Sequence, residues 1–394
     1  MDSAHPAPQV SASRTVDVAV VGAGPVGALA ALVVADAGFS VALVAPARGH
    51  DPRTSALMMP SVALLDEHGV WEGVAAEAAP LNTIRMIDQT GYLPRAPEVA
   101  FDAHELGPDP FGYNITNDAL NGALAARLAV RGIRRIDALA DHIEGTGGAG
   151  ATIHAGGEVV RAALVVAADG ADSFVREAAG MSVRRWSYRQ SAFVTTLAHE
   201  RPHGDVSVEF HTPAGPFTLV PLKGERSSLV WVARPEEAER RAAMDPGPLA
   251  REIEKRCHAI LGRMAIDGPR GVIAMEGHVA PTMGAGRVVL VGEAGHRFPP
   301  IGAQGLNLGF RDLATLQALL RQASADRDLA AVPERYNARR RGDVTLRTAS
   351  VDLLNRSLLT GAFVPSTARA VTLSAARGIA PLRRAMMRFG LGTS

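Results

Sequence analysis

Residues 20–27, VVGAGPVG, set Gly22, Gly24 and Gly27 at the spacing G-x-G-x-x-G. An apolar run precedes them and an Ala/Leu/Val-rich run follows, so the glycines fall where a strand turns into a helix. That suits the pyrophosphate of a dinucleotide. The first glycine permits the tight turn, the second lets phosphate approach the backbone, and the third lets helix and strand pack closely. The helix N-terminus then faces the anion. A carboxylate for the ribose is expected about 20 residues on. That position is Ala45, in LVAPA, so the ribose is held by something else or more weakly.

Two later segments add chemistry. In 165–180, VVAADGADSFVREAAG, a buried-type strand delivers Asp169-Gly170 into a turn, followed by Ser173 and Arg176. In 286–316 a strand ends at Gly292-Glu293, a rigid Pro299-Pro300 turn follows, and Gly302-Ala303-Gln304-Gly305 leads into a helix through Leu306 and Asn307. A carboxylate at a strand end suits a sugar-like chain. The bare amides of a helix start suit developing negative charge. His296, close to Glu293 and Pro299, is a candidate catalytic base or a ring stacked beside the site.

Other patterns imitate chemistry. HERPH at 199–203 matches H-E-x-x-H literally, but Pro202 and Gly204 deny it the helix that zinc proteases need. A strand-to-strand turn is expected there, and no metal site. Asn114-Ile115-Thr116 and Asn355-Arg356-Ser357 match glycosylation sequons without any sign of secretion. Residues 18–35 are uncharged over the length of a short membrane span, but Asp17 and Asp36 bracket them and glycines and a proline interrupt them.

These residues need a scaffold. Apolar residues are 47% of the 394, enough for a sizeable core. Lys+Arg number 41 against 40 Asp+Glu, which argues against a general nucleic-acid binder. The single cysteine, Cys257, excludes an internal disulfide and fits a reducing compartment. It is expected on a helix face and inert. The chain opens β–α–β over 16–44, residues 115–130 carry helical spacing, and 162–168 and 287–292 are further buried strands. Between them 193–198, 206–210, 216–222 and 227–233 alternate with turn residues, as in an antiparallel sheet.

The fold expected is α/β: a Rossmann-like domain with a parallel sheet, interrupted by a mostly antiparallel β substrate domain, plus C-terminal helices. Residues 16–80, 101–185 and 271–350 form the first domain and 81–100 with 186–270 the second. Residues 1–15 are expected disordered. Residues 351–394 form a basic helical segment; its last 42 positions hold six arginines and no Asp or Glu. That fits either an amphipathic face for an anionic membrane or partner, or a solvated helix packed on the domain.

Together the three motifs resemble those of the flavin-dependent aromatic hydroxylases of the p-hydroxybenzoate hydroxylase fold. Residues 53–71, 111–124 and 209–231, with Thr212-Pro213, Gly215-Pro216 and Pro221-Leu222, are similar to the ubiquinone-biosynthesis hydroxylases within that family. The likeness spans about 16–392. It implies FAD held by Gly22, Gly24, Gly27, Arg53, Asp169, Gly170, Glu293, Gln304, Gly305, Leu306 and Asn307. The family's Gly-Asp is here Gly292-Glu293, one methylene longer. Pro299, Pro300 and His296 line the site as candidates, with no certain catalytic side chain.

The resemblance further implies NAD(P)H or a protein electron donor as reductant and O2 as cosubstrate. Reduced flavin would form a C4a-hydroperoxide that hydroxylates the ring of a polyprenylated ubiquinone precursor. A cytoplasmic protein is expected, peripheral on the inner membrane face and in contact with a ubiquinone-biosynthesis complex, with no nucleic acid partner. Two alternatives stay open: a flavin hydroxylase of a soluble phenol, and a non-catalytic flavin-fold subunit.

Overall fold

The computed structural model describes residues 13–47, 49–299, 304–359 and 363–391. An eight-stranded sheet carries the parallel core, its main path in the order Gly284–Ala285, Val288–Leu290, Glu158–Ala167, Ser13–Val21, Val41–Val44, Arg134–Ile136, with Ala151–Ala155 and Ala140–Glu144 added beside Glu158–Ala167. Ser13–Val21 pairs in parallel with Glu158–Ala167 on one side and Val41–Val44 on the other. Val18, Ala19 and Val20 are fully buried, as expected for a strand covered on both faces. The helix Pro25–Asp36 covers one face with eight consecutive buried residues. Residues 18–35 are thus split between a strand and a helix. No helix among the described residues is long and apolar enough to cross a membrane.

A nine-stranded sheet forms the second layer, with its main path through Arg184–His199, Arg226–Ala233, Gly215–Leu222, Val206–Thr212 and Thr83–Asp88. One face packs Phe193, Phe210, Phe217 and Trp231 against Ala238, Leu249 and Ile253 of the helices Pro235–Ala243 and Pro246–Arg256. Arg241 stacks on Trp231 at 3.7 Å from the ring centroid. A third, three-stranded sheet of Thr54–Met58, Gly112–Thr116 and Ala79–Pro80 puts Leu57 and Ile115 into the core of the first layer and meets Gly215–Leu222 of the second. Asn114 donates from it to the Pro221 carbonyl at 2.8 Å.

Several expected boundaries move. Gly271–Val279 joins the antiparallel sheet, pairing with Arg184–His199, although 271–350 was assigned to the first domain. Its strand-length alternation is read only when a partner edge is present. Residues 13–15 are strand, paired with 159–161, and not part of a disordered terminus; residues 1–12 lie outside the described residues. The helix expected from 115 starts at Asn117, because Thr116 accepts a bond from Ala119 N at 3.3 Å and caps it. The segment 351–394 does not begin a separate unit, since the helix Val332–Leu359 runs through its start.

The last two helices, Phe363–Gly378 and Ala380–Leu391, pack Ala370, Leu373, Ala376 and Met387 against Leu81, Val99, Phe101 and Phe111. Arg383 clamps Glu105 with bonds of 2.7 and 2.8 Å. Their other face leaves Val371, Ile379, Leu382 and Phe389 exposed beside Arg377, Arg384 and Arg388. One face of the tail is thus packed on the domain, and the other is exposed, apolar and basic.

Candidate active site

The glycine-rich turn is a built cradle. Gly22 has φ +104°, and a Cβ there would lie 2.2 Å from the Ala168 carbonyl oxygen. A Cβ at Gly27 would lie 1.9 Å from the Gly22 oxygen, so only glycine lets strand and helix approach this closely. Gly24 is the N-cap of Pro25–Asp36 and has no side chain to cap it. The first-turn amides therefore remain for an external acceptor. These features fit a pyrophosphate.

The other motifs converge on this turn. Gly22 packs on Ala168, the residue before Asp169-Gly170. Val26 approaches Gly292 and Gly309, where added Cβ atoms would meet its methyls at 3.1 and 2.8 Å. Arg176 is buried and reaches the Ala294 carbonyl at 2.8 Å, tying the second motif to the third across 118 positions. Asp169 is occupied locally, accepting from Ser173 Oγ at 2.5 Å and Val175 N at 3.0 Å. Burial pushes its carboxyl up, against those bonds.

Glu293 is exposed at this junction, in a short 3-10 turn. Its own carbonyl accepts from His278 Nε2 at 2.8 Å. Arg53 binds Asp51 through Nε and Nη2, both at 2.7 Å, with Asn117 on the same carboxylate at 3.0 Å. Burial pushes the Asp51 carboxyl up, but the bonds from Arg53 and Asn117 outweigh it and hold it well below the carboxylate range. The bond to Asp51 likewise raises Arg53, with a smaller contribution from the charge of Glu293. The Arg53 side chain is about 44% exposed and able to meet a ligand.

Asn307 uses its side chain structurally. Its Oδ1 accepts from Met58 N at 2.8 Å and Ser61 Oγ at 2.7 Å, and its Nδ2 donates to the Ala56 carbonyl at 2.7 Å. What it offers a flavin is backbone at the start of Gln304–Ala323. Gly305 and Leu306 share that first turn, and Pro299 is buried just before it. Pro300 and the segment 301–303 lie outside the described residues, as does the side chain of Gln304.

His296 does not line the site. Its side chain has no exposure and its Nε2 lies 2.7 Å from Asp312 Oδ2. Its ring stacks on Phe298, with centroids 5.4 Å apart. The reason is Asp312, which sequence inspection missed. This wholly buried carboxylate also accepts from Gly292 N at 2.9 Å and Arg340 Nε at 2.8 Å. Burial pushes Asp312 up, yet the charges of His296 and Arg340 hold it below the ordinary carboxylate value. The signal was present: Asp312 stands in line with buried Leu308 and Leu316 on one helical stripe.

Ala45 is buried, and its carbonyl accepts from Arg135 Nε at 3.3 Å, so no carboxylate stands at that strand end. The adjacent strand Arg134–Ile136 is followed by Asp137, paired with Arg135 at 2.8 Å. HERPH forms a turn after Arg184–His199. His199 Nδ1 lies 2.8 Å from the Arg201 carbonyl and His203 Nε2 lies 2.9 Å from that of Leu222. Cys257 is buried just past the end of Pro246–Arg256, and burial pushes its thiol up.

Two predictions follow from the buried ionic groups. Asp312→Asn removes the fully buried charge that His296 and Arg340 share, leaves Arg340 with Asp343 alone, and should cost about 3–5 kcal/mol in urea unfolding. Burial lowers His278 to about 4 from 6.5, so the folded state holds it neutral while the unfolded state takes a proton. Stability from this group should fall as pH drops from about 6.5 towards 4 and level off below. A His278→Gln variant should lack that component of the pH–stability curve, and an unaltered curve would refute it.

The family described as the FAD binding domain matches residues 15–346. The ubiquinone hydroxylase UbiL of Rhodospirillum rubrum is 34% identical over 97% of this chain and 91% of its own. The 3-demethoxyubiquinol 3-hydroxylase of Escherichia coli is 30% identical over 96% and 99%. The crystal structure of p-nitrophenol 4-monooxygenase PnpA from Pseudomonas putida DLL-E4 superposes with a TM-score of 0.79, covering 96% of this chain and 99% of its own. At 20% identity it bears on the fold alone. A cradle shaped for pyrophosphate, three motifs drawn to one turn and these relatives agree: the chain belongs to the FAD binding domain family and is an FAD-dependent monooxygenase.

Proposed function

We propose that this protein hydroxylates the aromatic ring of a polyprenylated ubiquinone precursor. The observation that carries the reading is the convergence of Gly22, Gly27, Gly292 and the start of Gln304–Ala323 on one turn, in a chain similar along its length to ubiquinone hydroxylases. Bound FAD, once reduced by NAD(P)H or a protein donor, supplies the activation of O2. The protein does the rest. The amides of Gly24, Val26 and Gly27 would hold the pyrophosphate, and Arg53 and Glu293 would hold the polar chain between phosphate and ring. Amides at Leu306 and Asn307 would favour negative charge on the ring. The antiparallel sheet roofs the substrate and keeps water out.

The tail supports a peripheral place on the cytoplasmic face of the inner membrane, where the prenylated substrate resides. Exposed Val371, Ile379, Leu382 and Phe389 lie among exposed Arg377, Arg384 and Arg388, the pattern of an interfacial helix on anionic lipid. Such a position also suits contact with other enzymes of the pathway.

The test is turnover. FAD-loaded protein, NADH or NADPH and 2-prenylphenols of increasing chain length should give a product with one added ring oxygen, and a soluble phenol should be poorer. No product from any prenylphenol would sink the reading. Gly24→Val should purify without flavin, because a side chain would occupy the space of the pyrophosphate; unchanged FAD content would refute the cradle. Replacing Arg377, Arg384 and Arg388 by Ser should weaken binding to anionic liposomes about tenfold or more at low salt and leave FAD content unchanged. Unaltered liposome binding would end the membrane reading.

A further inference from the structure

One buried ionic pair belongs to none of the groups above. Glu209 and His211 lie on the strand Val206–Thr212 and are 8% and 3% exposed. Glu209 Oε1 is 2.7 Å from His211 Nε2, and Thr218 Oγ1 lies 3.4 Å from Glu209 Oε2. Among the described residues His211 Nδ1 is buried with no hydrogen-bond partner.

The strand's alternation sets where the pair looks. Val208 and Phe210 face the helices Pro235–Ala243 and Pro246–Arg256. Glu209 and His211 take the opposite face. Their register neighbours there are Thr218, Pro216 and Met86. Met86 and Val220 on that face pack against the cluster of Leu81, Val99, Phe101 and Phe111 with the last two helices, and so do Ala56 and Met58 of the strand that Asn307 joins to the start of Gln304–Ala323. The face is therefore turned towards the small sheet and the last two helices.

We infer that Glu209 and His211 accept the phenolic proton of the substrate, an inference that rests on the proposed function. A buried carboxylate–imidazole pair carries a desolvation cost that apolar residues would avoid, and an unpartnered ring nitrogen adds to it. A use for that nitrogen accounts for both. The carboxylate of Glu209 takes the Nε2–H, which leaves the Nδ1 lone pair as acceptor. The proton passes from the phenol O–H to Nδ1. The imidazolium formed is held by Glu209, and the phenolate oxygen remains beside it. No electrons move. The phenolate ring is richer in electrons, which is what oxygen transfer to carbon requires.

Other ionisable groups nearby are already engaged. Asp88, in register with His211, accepts from Thr90 N at 2.9 Å and Ala96 N at 2.9 Å. The Asp88 carbonyl takes Arg95 Nε at 3.2 Å, and Asp352 on Val332–Leu359 accepts from Tyr188 at 2.8 Å.

The test uses FAD-loaded protein and 2-geranylphenol, followed by the near-ultraviolet difference spectrum of phenolate against phenol between about pH 6 and 10. Bound probe should ionise with a proton affinity about tenfold or more below that of free probe. Glu209→Gln should recover most of that difference. His211→Leu should abolish the bound phenolate band while FAD content and probe binding persist. Wild-type phenolate spectra in both variants would overturn the pair. If His211→Leu fails to fold, Glu209→Gln alone decides. Wild-type protein that binds only neutral phenol refutes the pair and leaves the prenylphenol reading standing. Wild-type protein that does not bind the probe at all refutes both.

Discussion

Asp312 is the constraint on which the site depends. One carboxylate with no exposure receives the Gly292 amide, His296 and Arg340. Those three groups come from the turn beside the pyrophosphate cradle, the short strand after it and the helix Val332–Leu359. A buried charge tolerates few geometries, because any that leave it under-bonded are costly. Asp312 therefore fixes the turn of Gly292-Glu293 against the helix Gln304–Ala323. Arg340 continues the network to Asp343 at 2.7 Å, and Arg347 joins that residue at 2.9 Å.

Around this anchor, separate elements are joined by single polar side chains as well as by apolar packing. Arg176 links the Asp169 turn to Ala294, Asn307 links the flavin helix to Thr54–Met58, and Asn114 links that small sheet to the antiparallel layer at Pro221. The Arg176 and Asn114 bonds are buried, so each is directional and expensive to lose. The chain of contacts leads from the cradle to the face that carries Glu209 and His211. The glycine-rich turn and the antiparallel sheet are thereby held in one connected frame.

Much of this was legible in sequence because its signals are local. Gly22, Gly24 and Gly27 are spaced for one turn, and the runs 206–210, 216–222 and 227–233 alternate as strands whatever lies across from them. The same locality explains the misses. Gly271–Val279 has no marker of which sheet it joins until Arg184–His199 stands beside it. His296 sits in sequence beside Glu293 and Pro299, yet its ring turns to Asp312, sixteen positions on. Proximity along the chain is not proximity at the site.

The sequence by itself determined the elements, the cofactor class and the turn that receives the pyrophosphate, because these rest on backbone conformations and on periodicity that neighbours enforce. Only the tertiary structure decided which polar side chains face the site and which are spent within the frame. Asn307 and Asp169 carry ligand-like chemistry but give their side chains to Met58, Ser61 and Ser173. Glu209 and His211 read as ordinary strand residues until burial on one face brings carboxylate and imidazole together away from water. The physical reason is that a polar group's role is set by who satisfies its hydrogen bonds in the absence of solvent, and that partner is chosen by packing across long separations.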